Sequence, residues 1–112
     1  MRFAIPTNND KLCLHFGHCE VFTFVDADEE SKTITGKENI APPPHQPGIL
    51  PPWVAEQGAS VIIAGGIGAR AQQMFAMQNI KVIVGAPEDN PEKLVLDYLN
   101  GTLKTGVNAC DH

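Results

Sequence analysis

A chain of 112 residues with 43% hydrophobic and 19% charged side chains is long enough for one buried core and too short for two, and such a domain buries roughly two thirds of its extended-chain surface. No apolar run approaches the roughly 18 residues of a membrane span, so no membrane association is expected. The net charge of -5, with eight scattered Lys and Arg residues, leaves no basic patch to neutralise a phosphate backbone and argues against nucleic acid as a partner.

The amino terminus, Met1-Arg2-Phe3-Ala4-Ile5-Pro6, lacks the apolar segment and cleavage site of a secretory signal, which makes the cytoplasm the expected compartment. Thiols stay reduced there. Three cysteines do not close into a disulfide framework, and metal binding, redox chemistry and plain burial are the roles to weigh.

Arg2 to Ile5 reads as a first strand ending at Pro6, followed by the turn-rich Thr7-Asn8-Asn9-Asp10. Val21 to Val25 has the β-branched and aromatic content of a second strand, and Lys32 to Thr35 can pair with it across Asp26-Ala27-Asp28-Glu29-Glu30, read as a solvated turn. The first third is therefore a β-meander. Ala41-Pro42-Pro43-Pro44-His45-Gln46-Pro47-Gly48 is a stiff crossover loop, and Pro51 and Pro52 open a short helix that ends before Gly58.

Ser60 to Ala64 reads as a strand buried on both faces, Gly65 to Gly68 as a tight turn, and Ala69 to Gln78 as a helix burying Ala71, Met74 and Phe75. Lys81 to Val84 supplies another strand. Asn90 caps a last helix that ends near Gly101 and turns Leu94, Val95, Tyr98 and Leu99 toward a sheet. The expected architecture is a single α/β domain over residues 1–112, with about five strands in a mixed sheet, about three helices and a mobile tail over 102–112.

The chemistry concentrates in Cys13-Leu14-His15-Phe16-Gly17-His18-Cys19. Thiolate and imidazole donors suit zinc, copper, iron or metal-sulfur clusters and suit magnesium or calcium poorly. Gly17 gives the backbone freedom to turn Cys13, His15, His18 and Cys19 toward one point. A second small cluster, Cys110-Asp111-His112, offers Cys110 and His112 to close over the same ligand. A structural reading also stands, with Cys13, Phe16 and Cys19 buried and the two histidines exposed. His45 is a further polar candidate in the proline loop.

Gly66-x-Gly68-x-x-Ala71 follows a strand and opens a helix, as a dinucleotide fingerprint does. The acidic residue at the usual offset, Glu88, falls beyond the next strand and is poorly placed for a ribose. The bland reading of Gly65, Gly66 and Gly68 is a tight turn with close helix packing, and an intermediate one is a backbone donor edge facing an anionic ligand, with Arg70 in the first helical turn either a minor member of that site or a solvent-facing residue.

Phe16-Gly17-His18-Cys19 after a first strand, His45-x-Pro47-Gly48, Ala64-Gly65-Gly66-Ile67-Gly68-Ala69-Arg70-Ala71 and Gly101-x-Leu103-x-x-Gly106 together resemble the dinitrogenase iron-molybdenum cofactor biosynthesis family, and the resemblance covers nearly the whole chain. It implies a ribonuclease H-like fold without nuclease activity. It also implies a carrier or scaffold for a metal-sulfur cluster of iron, molybdenum or copper, working beside cofactor assembly proteins or P-loop ATPases of the Mrp and MinD type. Many family members have Arg at the position of His18, and Cys13, Cys110 and His112 are not general family features, so their ligand roles rest on donor chemistry. The sequence thus leads to a non-enzymatic cluster carrier. A metal-independent interaction domain partnering an ATPase, and a nucleotide-binding enzyme, are the alternatives.

Overall fold

The chain opens with a tight hairpin: β1 (Arg2–Asn8) turns through Asn9 and Asp10 and returns as the two-residue β2 (Lys11–Leu12). Asn9 and Asp10 both have positive φ, 52° and 62°, the backbone of the two-residue turns that match strand twist, and Asn and Asp tolerate it better than most side chains. The strand β3 (Val21–Asp28), the strand β4 (Thr33–Ile40), the helix α1 (Leu50–Glu56), the strand β5 (Val61–Ile63), the helix α2 (Ala69–Met77), the strand β6 (Lys81–Ile83) and the helix α3 (Pro91–Leu99) follow. These elements come from a computed structural model that describes residues 1–14, 19–44 and 48–106.

The main path of the sheet runs β4-β3-β1-β5-β6, with β2 paired to β1. β1, β3 and β4 pair antiparallel, whereas β1-β5 and β5-β6 pair parallel. An antiparallel meander continued by parallel strands is the mixed sheet read from the sequence, in the strand order of the ribonuclease H-like motif. Among the described residues it has six strands, the addition to the expected five being β2.

The predicted break at Pro6 does not occur. Pro6 stands opposite Phe22 in the β1-β3 register and lies beyond Ala4, where the pairing with β5 ends. The amide that proline lacks therefore has no parallel partner to lose, and the Pro6 carbonyl accepts the Cys13 amide at 2.8 Å.

Period-two alternation divides the sheet between two apolar clusters. Ala4, Phe22, Phe24 and Ile62 pack with Val54 of α1 and Phe75 of α2, while Phe3, Ile5, Val25, Val61 and Ile63 pack with Leu94 and Val95 of α3. Helices thus cover both faces. This explains why β1 and β3 are buried almost throughout, as expected of strands with no solvent side. The expected inner face of α2 is narrower than its sequence pattern, since Phe75 alone is buried and Ala71 and Met74 are half-buried. Tyr98 and Leu99 pack against the second cluster as predicted.

The acidic stretch is a turn only in its second half: Asp26, Ala27 and Asp28 complete β3 and pair with β4, with Ala27 buried, and the exposed turn spans residues 29–32. The Glu30 amide donates to Asp28 Oδ1 at 2.9 Å, which holds that carboxyl below its ordinary value. Thr102 to Gly106 is tied down: the Thr102 and Leu103 amides donate to the Asp97 carbonyl, and the Gly106 amide donates to the Gly85 carbonyl at 2.6 Å. No described helix is long and apolar enough to cross a membrane.

One ion-pair cluster fastens the edge strand to the rest. Lys37 of β4 reaches Asp10 in the β1-β2 turn at 2.8 Å and Glu92 in the first turn of α3 at 3.2 Å. Its hydrogen bond to Asp10, and secondarily its contacts with Glu92, raise its pKa above the usual 10.5 against the opposing effect of burial. A raised lysine pKa contributes stability fully present below the unfolded value and lost as pH rises through the folded one. Lys37→Met should therefore cost about 1 kcal/mol or less at about pH 8, and the difference should disappear at strongly alkaline pH, once Lys37 has lost its proton in the folded protein. Urea titrations of both proteins at the two pH values test this, and equal destabilisation at both would contradict it.

Candidate metal centre

The segment from Cys13 to Cys19 connects β2 to β3. Because β2 doubles back from the end of β1, its stem lies at the carboxyl end of the parallel strands. The Gly65-to-Gly68 turn, which follows β5, and Gly85, which follows β6, lie at the same end. Ligands of open α/β sheets bind beyond this edge because loops converge there.

Glycine lets these backbones approach. A Cβ on Gly65 would come within 3.1 Å of Leu14 Cα and 3.0 Å of Leu12 Cδ2, so the absence of a side chain makes room for the stem of the cysteine segment. Gly85 has φ +79°, and a Cβ there would overlap the carbonyl of Gly106. The Gly85 amide donates to the Gly65 carbonyl at 2.8 Å and its carbonyl accepts from Gly106. The Leu14 stem, Gly65, Gly85 and Gly106 thus form a continuous backbone floor.

Of the six predicted metal ligands, Cys13 and Cys19 are described. Cys13 is 6% exposed and Cys19 is half-buried. Asn8 links the two ends: its Nδ2 donates to Cys13 Sγ at 3.4 Å, and its Oδ1 accepts the Glu20 amide at 2.6 Å. His15, His18, Cys110 and His112, with His45 of the proline loop, lie outside the described residues. Among the described residues no three His, Cys, Asp or Glu side chains gather as a metal site.

In the glycine turn, Gly65 and Gly66 are buried, while Gly68 and Arg70 are exposed. Gly68 caps α2 in an extended conformation, and a Cβ there would meet no atom within 4 Å. Close backbone approach therefore accounts for Gly65, and open space remains over Gly68. Below the site, Thr7 and Thr23 hydrogen-bond through their hydroxyls at 2.9 Å, and Thr23 Oγ1 donates to Asn39 Oδ1 at 2.8 Å. These are the two buried polar residues among those described, and the bonds remove the cost of burying them.

Asn8, Gly85 and Gly106 were not singled out as site-building residues by the sequence. In the sequence Asn8 falls within a turn-rich run, although as the last residue of β1, just before a two-residue hairpin turn, it sits on a rigid element. Gly85 repeats the strand-then-glycine pattern of Gly65, a signal that was available.

Residues 1–101 match the family described as dinitrogenase iron-molybdenum cofactor. The chain belongs to this dinitrogenase iron-molybdenum cofactor family. It is 33% identical over 109 residues to the uncharacterized protein MJ0580 of Methanocaldococcus jannaschii, covering 93% of this chain and 90% of that protein. The solved structure of PH0822 superposes with a TM-score of 0.87 at 29% identity, with 96% of each chain covered. The apo form of the orange protein from Desulfovibrio gigas shares the fold, with a TM-score of 0.72 at 21% identity over 96% of this chain and 93% of that one. Membership of the dinitrogenase cofactor family relates this chain to the iron-molybdenum cofactor.

Proposed function

We propose that this protein is a non-enzymatic carrier or scaffold whose cargo is a metal-sulfur cluster of iron, molybdenum or copper, handed to a cofactor assembly protein. The observation that carries the reading is the pair of thiols at the two ends of one segment, Cys13 and Cys19, tied together through Asn8 at the carboxyl edge of the sheet. Thiolate donors fit soft metals and clusters. Metal sites also commonly hold their ligands in place with outer hydrogen bonds of this kind.

His15 and His18 lie between the two cysteines in sequence and complete the proposed ligand set, and Cys110 and His112 are its proposed closing members. The turn at Gly65, Gly66 and Gly68 would face the anionic cluster with backbone amides, with Arg70 adding charge. Zinc alone is the simpler cargo that the same donors would accept. The cytoplasm, where thiols stay reduced, suits such a role.

The test is anaerobic reconstitution of the untagged protein with iron, molybdate, copper and sulfide, followed by metal and sulfide analysis. Wild type should retain near-stoichiometric metal, and Cys19→Ala should lose most of it. Equal retention by the two proteins would sink the reading.

A further inference from the structure

We propose that Asn8 is the positioning residue of the cysteine segment, tying its two ends together and holding a fixed amide donor against the Cys13 sulfur. A backbone N–H can only donate, so the 2.6 Å contact from the Glu20 amide requires the Asn8 oxygen on that side. The Asn8 NH2 group is thereby turned toward Cys13 Sγ, 3.4 Å away. One planar amide therefore reads both ends of the segment, with its orientation set by chemistry.

The mount is rigid. Asn8 is the last residue of β1, in register with Lys11 across the hairpin, and Thr7 is in register with Leu12. The Cys13 amide is separately anchored to the Pro6 carbonyl at 2.8 Å. The Cys13 backbone and its sulfur are thus each held by a residue of β1, Pro6 and Asn8 respectively. A donor locked toward a sulfur also favours a metal-bound thiolate, which gains an N–H···S bond without ordering a new group.

The bearing of Asn8 on a metal rests on the carrier reading above, whereas its clamping role does not. Two variants separate its functions. Asn8→Asp keeps an oxygen for the Glu20 amide and removes the donor to sulfur, while Asn8→Ala removes both.

The first measurement is the alkylation rate of metal-free protein in which Cys19 and Cys110 are serine, leaving Cys13 as the single thiol. Asn8→Ala should react about 10-fold faster, the equivalent of losing roughly one hydrogen bond from local closure, with Asn8→Asp between it and the parent. A rate for Asn8→Ala within about twofold of the parent overturns the clamp. The second measurement is Co(II) titration of the protein with all its cysteines, read by thiolate-to-cobalt charge-transfer absorption. Asn8→Asp should bind about 10- to 100-fold more weakly with a displaced band, and an unchanged constant and band would overturn the donor role. If the parent takes up no cobalt while the alkylation effect holds, the clamp stands, the donor role toward a bound metal falls, and the reconstitution above decides the carrier reading.

Discussion

Phe24→Ala is expected to destabilise the protein by about 3–5 kcal/mol, the cost of emptying a buried aromatic site. Phe24 is fully buried in β3 and faces Ala4 across the β1-β3 ladder, a large side chain set against a small one. Its ring lies 5.8 Å from Trp53 at 65° and 6.4 Å from Phe22 at 26°. The Arg2 guanidinium sits 4.9 Å from its centroid. Removal leaves a cavity and takes away an edge-to-face partner of α1 and a cation-π contact together.

A domain of this size has only about 5–15 kcal/mol of total stability. The melting midpoint should accordingly fall by roughly 10–25 °C. Phe24→Leu, which refills most of the volume, should lose less than half as much. Calorimetry of both variants tests the claim, and a loss under about 1.5 kcal/mol for Phe24→Ala would show that the aromatic cluster is not a principal support of the fold.

Gly85→Ala is the second large effect, expected to cost about 2–4 kcal/mol through two separable causes. A non-glycine residue at φ +79° carries strain of about 1 kcal/mol or somewhat more. Its Cβ also meets the Gly106 carbonyl, carbon and nitrogen. Backbone cannot rotate away as a side chain would, so this overlap adds about 1–3 kcal/mol. The alternative is release of Thr102 to Gly106 from the sheet.

Shortening the chain separates the two causes. In a protein ending at Lys104, the same substitution should cost only the conformational part, about 1 kcal/mol. Hydrogen exchange at the Gly106 amide offers a second readout in the full chain, since that amide bonds the Gly85 carbonyl at 2.6 Å. Equal destabilisation in the long and short chains would show that the contact with Gly106 carries no energy. If confirmed, Gly85 is the residue that fixes where the carboxyl-terminal segment leaves the sheet, beside the stem of the cysteine segment.

Much of the architecture was legible because it rests on local rules. The β-branched and aromatic content of Val21 to Val25, the all-apolar Val61 to Ile63 and the one-sided face of α3 mark strands and helices in the right order. The misreadings have specific causes. Pro6 reads as a strand end, because sequence alone does not reveal that β5 stops pairing at Ala4. Ala71 and Met74 share the expected inner face of α2 yet are only half-buried, because among the residues of that helix Phe75 alone reaches the core.

The donor-rich stretch from Cys13 to Cys19 was visible from residue types alone, and so was a resemblance to the dinitrogenase cofactor family. What residue types do not encode is which groups outside the stretch hold it. Asn8 is five positions before Cys13 and twelve before Glu20, and its two hydrogen bonds exist only because the hairpin and the return of β3 bring those residues together. Gly65, Gly85 and Gly106 are likewise far apart in the chain and meet because β5 and β6 end side by side.

The sequence by itself therefore determined the chemistry of the donors and the order of the elements, since both follow from composition and short-range periodicity. Only the tertiary structure decided which glycines form the floor of the site and which amide faces the Cys13 sulfur. Those are contacts between backbones distant in sequence, and no local pattern specifies them.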